Sequence, residues 1–356
     1  MLKSLKIENF RCFQFFELQK LGRVNLLVGT NNSGKTSILE AIQLLCSQTS
    51  LETLREVMIS RGEYIWSDEL REGRELDIRH LFYGHEIKLG SKFSISGAND
   101  KSGENLVVSI EPTPQLSLFE ELQELVLSIK WYGNEKDKIE LPLSSNEGIA
   151  LDYVRRIRRD NKSLGVKTQF VTSSSLTTEK MTELFAQVVL TPEEEFIIEA
   201  LKTIEPNIER IASVGSERFR YLGTRNGFVV RLSEGNQRIP IGSMGDGIWR
   251  MLGLTLAIVN ARNGILLVDE IDTGLHFSAM SDMWKLIWKT AKRLDVQVFA
   301  TTHNSDCWSS LATIANAESP SEDGITIQRI ERGKSTGVVF NERQIVIAAE
   351  RGIEVR

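Results

Sequence analysis

Eight consecutive residues constrain this chain more than any other feature. Gly29-Thr30-Asn31-Asn32-Ser33-Gly34-Lys35-Thr36 matches G-x-x-x-x-G-K-[ST] at every fixed position. The run Val24-Asn25-Leu26-Leu27-Val28 before it is short and mostly apolar, as in a strand buried in a parallel sheet. After it, Ile38, Leu39, Ile42 and Leu45 recur at helical spacing. Strand, glycine-bounded loop and helix in that order make a phosphate cradle. Gly29 and Gly34 permit the turn that aims successive N–H groups at phosphate oxygens, and the helix N-terminus adds partial positive charge. Lys35 can reach the β- and γ-phosphates, and the Thr36 hydroxyl can ligate Mg²⁺. The expected nucleotide contacts are Asn31, Asn32, Ser33, Gly34, Lys35, Thr36 and Ser37.

Such a cradle needs a parallel α/β sheet around it, and the last third of the chain has the rhythm of one. A helix is expected over about 246–260, a strand over Ile265–Val268, a helix over about 278–294 and a strand over Val296–Ala300. The middle is different. Phe93-Ser94-Ile95, Leu106 to Ile110 and Leu125 to Trp131 suggest an antiparallel meander, with Pro112 and Pro114 closing the second run. From about 150 to 212 the pattern turns helical, and Phe228 to Leu232 returns to strand. No a/d register lasts three heptads, so a long coiled coil is excluded and a compact helical arm or lid is expected.

Composition narrows the function classes. The 356 residues are 41% hydrophobic and 26% charged, enough for one large domain or two smaller ones. No apolar run approaches the ~20 residues of a membrane span, and Met1 to Phe10 lacks a signal-peptide core. Cys12, Cys46 and Cys307 lie far apart and form no metal-ligand spacing, which fits a reducing cytosol and neither a disulfide framework nor a zinc site. A net charge of -5 argues against a chain that coats nucleic acid by bulk charge, while leaving room for a local basic patch.

Two strand ends carry further chemistry. Ile265-Leu266-Leu267-Val268 runs into Asp269-Glu270, where Asp269 would hold Mg²⁺ and Glu270 would polarise the attacking water. Strand-end acids are often plain surface residues; the P-loop upstream and the α/β rhythm raise this pair above that. The next strand ends in Thr301-Thr302-His303-Asn304, which places His303 on the edge where open α/β sheets bind ligands. Its imidazole would orient the water or stabilise transferring charge.

These pieces, in this order, resemble the ABC-type ATPases of the SMC, RecF and OLD (overcoming lysogenization defect) group. Leu5-Lys6-Ile7-Glu8-Asn9-Phe10-Arg11-Cys12-Phe13 is similar to that group's first strand, I-x-N-F-[RK]-x-F. The resemblance implies that Arg11 lies near the nucleotide, that Asp269 and Glu270 are the Walker B pair, that Ile271 to His276, with Asp272, form the D-loop, and that His303 is the switch histidine. It also puts Ser243-Met244-Gly245-Asp246-Gly247 in the place of the ABC signature, where Ser243 and Gly245 would contact the γ-phosphate held by a second subunit. This run departs from the transporter form L-S-G-G-Q, and Ser and Gly before a helix are also an ordinary cap. Asp77 to Phe82 looks like the segment where a Q-loop stands, but it holds no Gln. Gln344 to Arg356 looks like the usual end of these ATPases, so a TOPRIM nuclease, if one acts with this chain, is expected as a separate protein.

The expected architecture is α/β: an ABC-type P-loop ATPase head with a mixed sheet, an inserted antiparallel β region and a helical arm or lid. The expected segments are 1–90 (head lobe with the P-loop), 91–148 (antiparallel insertion), 149–234 (helical arm) and 235–356 (head lobe with signature, Walker B and switch histidine). Tyr153 to Lys162 is the most basic run and suits either DNA phosphates or a solvated face that docks an acidic partner. Glu193, Glu194 and Glu195 after Pro192 suit a helix's first turn. The leading expectation is an ATP- and Mg²⁺-dependent head-to-tail homodimer that drives an effector such as a nuclease in a DNA transaction, of the kind used in prokaryotic anti-phage defence. The rival is a slow ATP-binding scaffold that holds a toxin or nuclease. A transporter subunit fits less well, given the signature and the long insertion, and the absence of N-K-x-D argues against a GTPase.

Overall fold

The computed structural model describes residues 1–66, 74–99, 102–113, 125–133, 136–157, 165–214, 227–233, 235, 237–317 and 323–355, with backbone alone at 155–157. The chain opens with β1 (Ser4–Phe10), β2 (Phe13–Leu18), β3 (Val24–Val28), α1 (Lys35–Ser47) and α2 (Leu51–Ser60). Next come β4 (Tyr64–Trp66), β5 (Arg74–Leu76), β6 (Lys92–Ala98), β7 (Gly103–Pro112), β8 (Leu125–Tyr132) and β9 (Lys136–Pro142). The centre holds β10 (Ile149–Ala150), α3 (Leu151–Ile157), β11 (Thr168–Val171), α4 (Thr178–Val188), α5 (Glu194–Lys202), β12 (Ile208–Ser213), β13 (Phe228–Leu232) and β14 (Ile239–Pro240). The last third holds α6 (Asp246–Asn260), β15 (Ile265–Val268), α7 (Phe277–Leu294) and β16 (Gln297–Thr301). It closes with α8 (Ser305–Ala317), β17 (Ile325–Arg329), β18 (Val338–Asn341) and α9 (Glu342–Arg351).

These elements form two compact units. The first comprises Met1–Lys20, Gly34–Val166 and Glu331–Gly337. Its sheet runs β2-β1-β6-β7-β8-β9, antiparallel throughout. Strand alternation builds one apolar face: Ile7 pairs with Ile95, Ile95 with Leu106, and Leu106 with Trp131, and all four are buried. A second sheet, β10-β5-β4, is short. The helix α1 belongs to this unit, and almost every side chain from Lys35 to Ser47 is buried.

The second unit comprises Leu21–Ser33, Lys167–Ile330 and Val338–Arg356. Its main sheet runs β11-β15-β16-β3-β17-β18, parallel except for the edge strand β18. All residues of β3, β15 and β16 are buried, the signature of parallel strands covered on both faces. Nearly all of α6 is buried as well, whereas α7 buries one face, which includes Met280, Met283, Trp284 and Ile287, and exposes its lysines. A small antiparallel sheet, β12-β13-β14, completes the unit.

The α/β class with a mixed sheet is what the structure has; β3, α6, β15, α7 and β16 stand within one or two residues of their predicted limits, and α1 contains the expected Ile38, Leu39, Ile42 and Leu45. The division of the chain differs. The expected insertion 91–148 is not a separate region, because β6 pairs with β1 and extends the sheet that opens the chain. Nor is 149–234 a helical arm. β11 joins the main sheet in parallel with β15, and β12 and β13 form a hairpin-like pair. β11 escaped the sequence reading because four residues, Thr168-Gln169-Phe170-Val171, carry no alternation; the partner strand alone defines them. Pro112 does end β7, while Pro114 and residues 158–162 of the basic run lie outside the described residues. Among the described residues no helix is long and apolar enough to cross a membrane.

Trp284 is 1% exposed and its indole N–H donates to the Cys307 carbonyl at 3.0 Å. Trp284→Ala should cost about 3–5 kcal/mol, from the cavity and the abandoned carbonyl together. Urea unfolding followed by tryptophan-independent circular dichroism should show the midpoint fall with little change in slope.

Candidate nucleotide site

Three loops leave the carboxyl ends of three neighbouring parallel strands in the second unit. β3 leads to Gly29, β15 to Asp269-Glu270, and β16 to Thr302-His303. The registers pair Val268 with Ala300 and Thr301 with Leu27, so the strands end at a common level. That edge is where open α/β sheets bind ligands.

The P-loop turn has the backbone its glycines imply. Gly29 has φ 147°, and a Cβ there would sit 2.3 Å from the Ile330 carbonyl oxygen, so only glycine fits. Asn32 is left-handed at φ 58°, and the Ser33 N–H donates to the Thr30 carbonyl at 3.3 Å. Asn31 and Asn32 are exposed and Ser33 is buried. Gly34 opens the next segment with φ 98° and occupies the N-cap of α1, with no side-chain cap.

The acidic pair is held by its backbone and by hydroxyls. Thr301 donates its hydroxyl to Asp269 Oδ1 at 2.6 Å, and the Glu270 N–H donates to the same hydroxyl oxygen at 2.8 Å. Glu270 itself adopts φ 47°, an uncommon conformation for this residue type, and the Thr273 hydroxyl reaches its Oε2 at 3.4 Å. His303 Nε2 stands 3.7 Å from Glu270 Oε1, with both side chains about two-fifths exposed. Asp272 accepts the Thr302 hydroxyl at 2.6 Å. The residues expected to act together in this unit thus share one sheet edge, cross-linked by Thr301 and Thr302.

Sequence reasoning missed the group that organises this edge. Arg250, on α6 and only 3% exposed, donates Nη1 to the Thr172 carbonyl at 2.6 Å. Its Nη2 donates to the Asp269 and Glu270 carbonyls at 3.0 and 2.7 Å. Burial lowers its basicity to about 10, partly opposed by the nearby Asp272, Asp269 and Glu270 carboxylates, so it stays charged at neutral pH. One guanidinium therefore fastens the ends of β11 and β15 to α6. Nothing local in Ile248-Trp249-Arg250-Met251 marks it, because its partners are main-chain carbonyls.

Just before the start of α6, Ser243 lies in the 3₁₀ turn Ile241–Met244 and is exposed. The N-cap is Gly245, with φ 93° and no side-chain cap bond, so Ser243 is not the helix cap. A Cβ at Gly245 would meet nothing within 4 Å. A Cβ on Gly274, in the turn that follows Glu270, would come 3.4 Å from Asp246 Cβ, which sets this turn beside the helix start.

Lys35, Thr36, Ser37 and Arg11 belong to the first unit. Lys35 and Ser37 are buried in the first turn of α1. A Cβ on Gly34 would strike Phe13 Cζ at 2.3 Å and Cys12 Sγ at 2.8 Å, so the hairpin turn between β1 and β2 packs on the start of α1. Arg11, left-handed at φ 55° and 4% exposed, is held inside this unit: its Nε lies 3.0 Å from Glu40 Oε2, its Nη1 binds Glu63, and Nη1 also donates to the His80 carbonyl at 3.2 Å. Arg61 pairs with the other oxygen of Glu40 and reaches the Ser37 hydroxyl at 3.4 Å. Burial raises the Glu40 carboxyl above its ordinary range, with Arg11 and Arg61 opposing the shift. The sequence reading named Arg11 but none of Glu40, Glu63 and Arg61, whose partnership with it spans three elements. In the segment likened to a Q-loop, Asp77 caps the turn Ile78–Leu81.

Among curated proteins, an ATP/GTP phosphatase of Helicobacter pylori is 22% identical over 341 residues, 86% of each chain. The DNA replication and repair protein RecF of Clostridioides difficile is 46% identical over 55 residues, a stretch that is 15% of each chain. The SMC head domain from Thermotoga maritima covers 96% of this chain and 98% of its own, at 13% identity and a TM-score of 0.43. A family model described as an AAA ATPase domain matches residues 1–186 and 158–307. With that match running from the first residue through the P-loop, the Asp269-Glu270 pair and His303, the chain belongs to the AAA ATPase domain family.

Proposed function

We propose that this chain is an ATPase of the ABC type whose working unit is a head-to-tail homodimer. The observation that carries the reading is the pairing of one sheet edge with one helix start. The edge holds Gly29, Asp269, Glu270 and His303, and the exposed, glycine-capped start of α6 holds Ser243 and Gly245. A helix N-terminus whose N-cap is a glycine, with no side-chain cap bond, presents N–H groups and partial positive charge, the chemistry a γ-phosphate from a second subunit needs.

The roles follow from chemistry at each position. Main-chain N–H groups from Asn31 to Ser37 cradle the phosphates, and Lys35 neutralises the β- and γ-phosphates. The Thr36 hydroxyl and the Asp269 carboxylate are hard oxygen donors of the kind Mg²⁺ takes, and they would hold it. A Mg²⁺ ion held by these donors would supply neutralisation of phosphate charge. Glu270 orients and deprotonates the attacking water, and His303, beside it, stabilises charge on the transferring group. Arg250 positions the acidic pair from the helix that meets the neighbour's nucleotide. Asp272 shapes the D-loop, and Arg11 supports the start of α1 through Glu40.

The resemblance implies a DNA transaction in which this chain drives a separate effector such as a nuclease, and prokaryotic anti-phage defence is the biological context we favour. Opening and closing of the dimer would drive that effector.

Steady-state MgATP hydrolysis tests the composite site. Ser243→Arg should abolish turnover while nucleotide binding persists; unchanged turnover would return Ser243 to a surface role and favour a monomeric site. A wild type that binds ATP without turning it over would point instead to the scaffold reading. Glu270→Gln should lower kcat by about 100–10,000-fold with ATP still bound. Arg250→Lys keeps the charge but cannot reach three carbonyls, so kcat should fall by up to about 100-fold while KM for MgATP holds. A KM rise with kcat intact would assign Arg250 to binding instead.

A further inference from the structure

Two of the chain's four histidines meet in the first unit, at the segment likened to a Q-loop, where the His80 carbonyl also accepts from Arg11 Nη1 at 3.2 Å. His80 Nδ1 lies 3.3 Å from His85 Nδ1, and the ring centroids are 5.3 Å apart with planes at 60°. The other nitrogen of His80, Nε2, lies 3.3 Å from Asp77 Oδ2. Asp77, nearly buried, is itself fixed by Arg79, whose Nε and Nη2 bind its two oxygens at 2.8 Å each.

This arrangement selects a tautomer. With Nε2–H facing a carboxylate, His80 turns the lone pair of Nδ1 toward His85. At 3.3 Å the two nitrogens are within reach of a long hydrogen bond, and the same separation suits a shared ion. Two imidazole nitrogens on one tetrahedral zinc, each 2.0–2.1 Å from it, stand about 3.3 Å apart, and their rings about 5.2 Å apart. Both observed separations match the chelate. The carboxylate behind His80 is the outer shell that metal-bound histidines nearly always have.

The main chain holds both rings before any ion arrives. His85 adopts φ 60°, its N–H donates to the Phe82 carbonyl at 3.1 Å, and the Tyr83 N–H donates to the Asn9 carbonyl at 2.9 Å. Phe82 bridges to Phe10 and packs edge-on against Phe93. The segment between the histidines is therefore pinned to β1 and β6.

We propose that His80 and His85 form a binding site for an imidazole-seeking divalent ion, zinc first, with Asp77 as the outer-shell carboxylate. No group of three or more His, Cys, Asp or Glu that could hold a metal occurs among the described residues, so two coordination positions fall to solvent or to a donor from another molecule. Imidazole donors suit zinc, nickel, cobalt and copper and disfavour Mg²⁺, which keeps this site chemically distinct from the nucleotide's metal.

The test uses the untagged full chain, stripped by chelator and free of nucleotide, titrated with zinc chloride by calorimetry. One zinc per chain should bind. His80→Ala and His85→Asn should each remove it, Asn being tolerated at a left-handed position so that the turn survives. Asp77→Asn should keep the stoichiometry and weaken affinity about 10–100-fold. Nitrogen-15 NMR of the histidine rings in the wild type gives a readout that needs no variant: two of four rings should shift, both through Nδ1. Absence of saturable zinc binding would overturn the site and leave a simple histidine–histidine hydrogen bond. So would zinc shifts confined to His276 or His303, or stoichiometric binding that survives both histidine substitutions.

Discussion

A parallel sheet has no short way back from one strand to the next, so each strand must be covered on both faces and each connection must cross over the sheet. That constraint organises the second unit. β3, β15 and β16 are buried along their whole length, and their crossovers bring three chemically loaded loops out at one edge. Gly29, the Asp269-Glu270 pair and His303 are far apart in sequence, and neighbouring strand ends make them local. Interior strands define the site's spacing, because shifting one register by a residue would move every side chain on that strand to the opposite face.

Buried arginines then turn a sheet edge into a fixed geometry. A guanidinium removed from water is tolerable only where its donors find acceptors. Arg250 finds main-chain carbonyls from β11 and from the acidic loop, and in doing so stiffens the backbone that carries Asp269 and Glu270. Arg11 meets Glu40 and Glu63 in the first unit, beside Arg61 and Ser37 on the early turns of α1 and the end of α2. In both places the charge acts on loop and helix placement, with hydroxyls such as Thr301 and Thr302 completing the ties. The exposed start of α6 contrasts with its buried length: the helix is anchored by Arg250 and Trp249 while Ser243 and Gly245 face outward.

Much of this was legible from residues alone, and for identifiable reasons. The P-loop reads because phosphate binding demands glycines and Lys35 at set offsets, and the strand and helix on either side carry unambiguous periods. The acid pair and His303 read because short, wholly apolar strands end sharply at polar residues. The segments that misread lacked such local marks. β11 is four residues with mixed polarity, made a strand by its ladder to β15. The antiparallel meander was visible as strands, yet its union with β1 was not, since partners as distant as Ser4 and Ala98 leave no trace in either run.

What the sequence by itself determined was therefore the set of local devices: a phosphate-binding turn, helices with apolar stripes, buried strands and the acids and histidine at their ends. Each follows from period, backbone freedom or charge within a few neighbouring residues. Tertiary structure alone decided which distant groups became partners. It put Arg250 on the carbonyls of Asp269 and Glu270, Arg11 between Glu40 and Glu63, Gly245 instead of Ser243 at the helix cap, and His80 opposite His85 with Asp77 behind it. These contacts depend on how strands pair and chains cross, a long-range choice settled by burial of the whole core and written in no single segment.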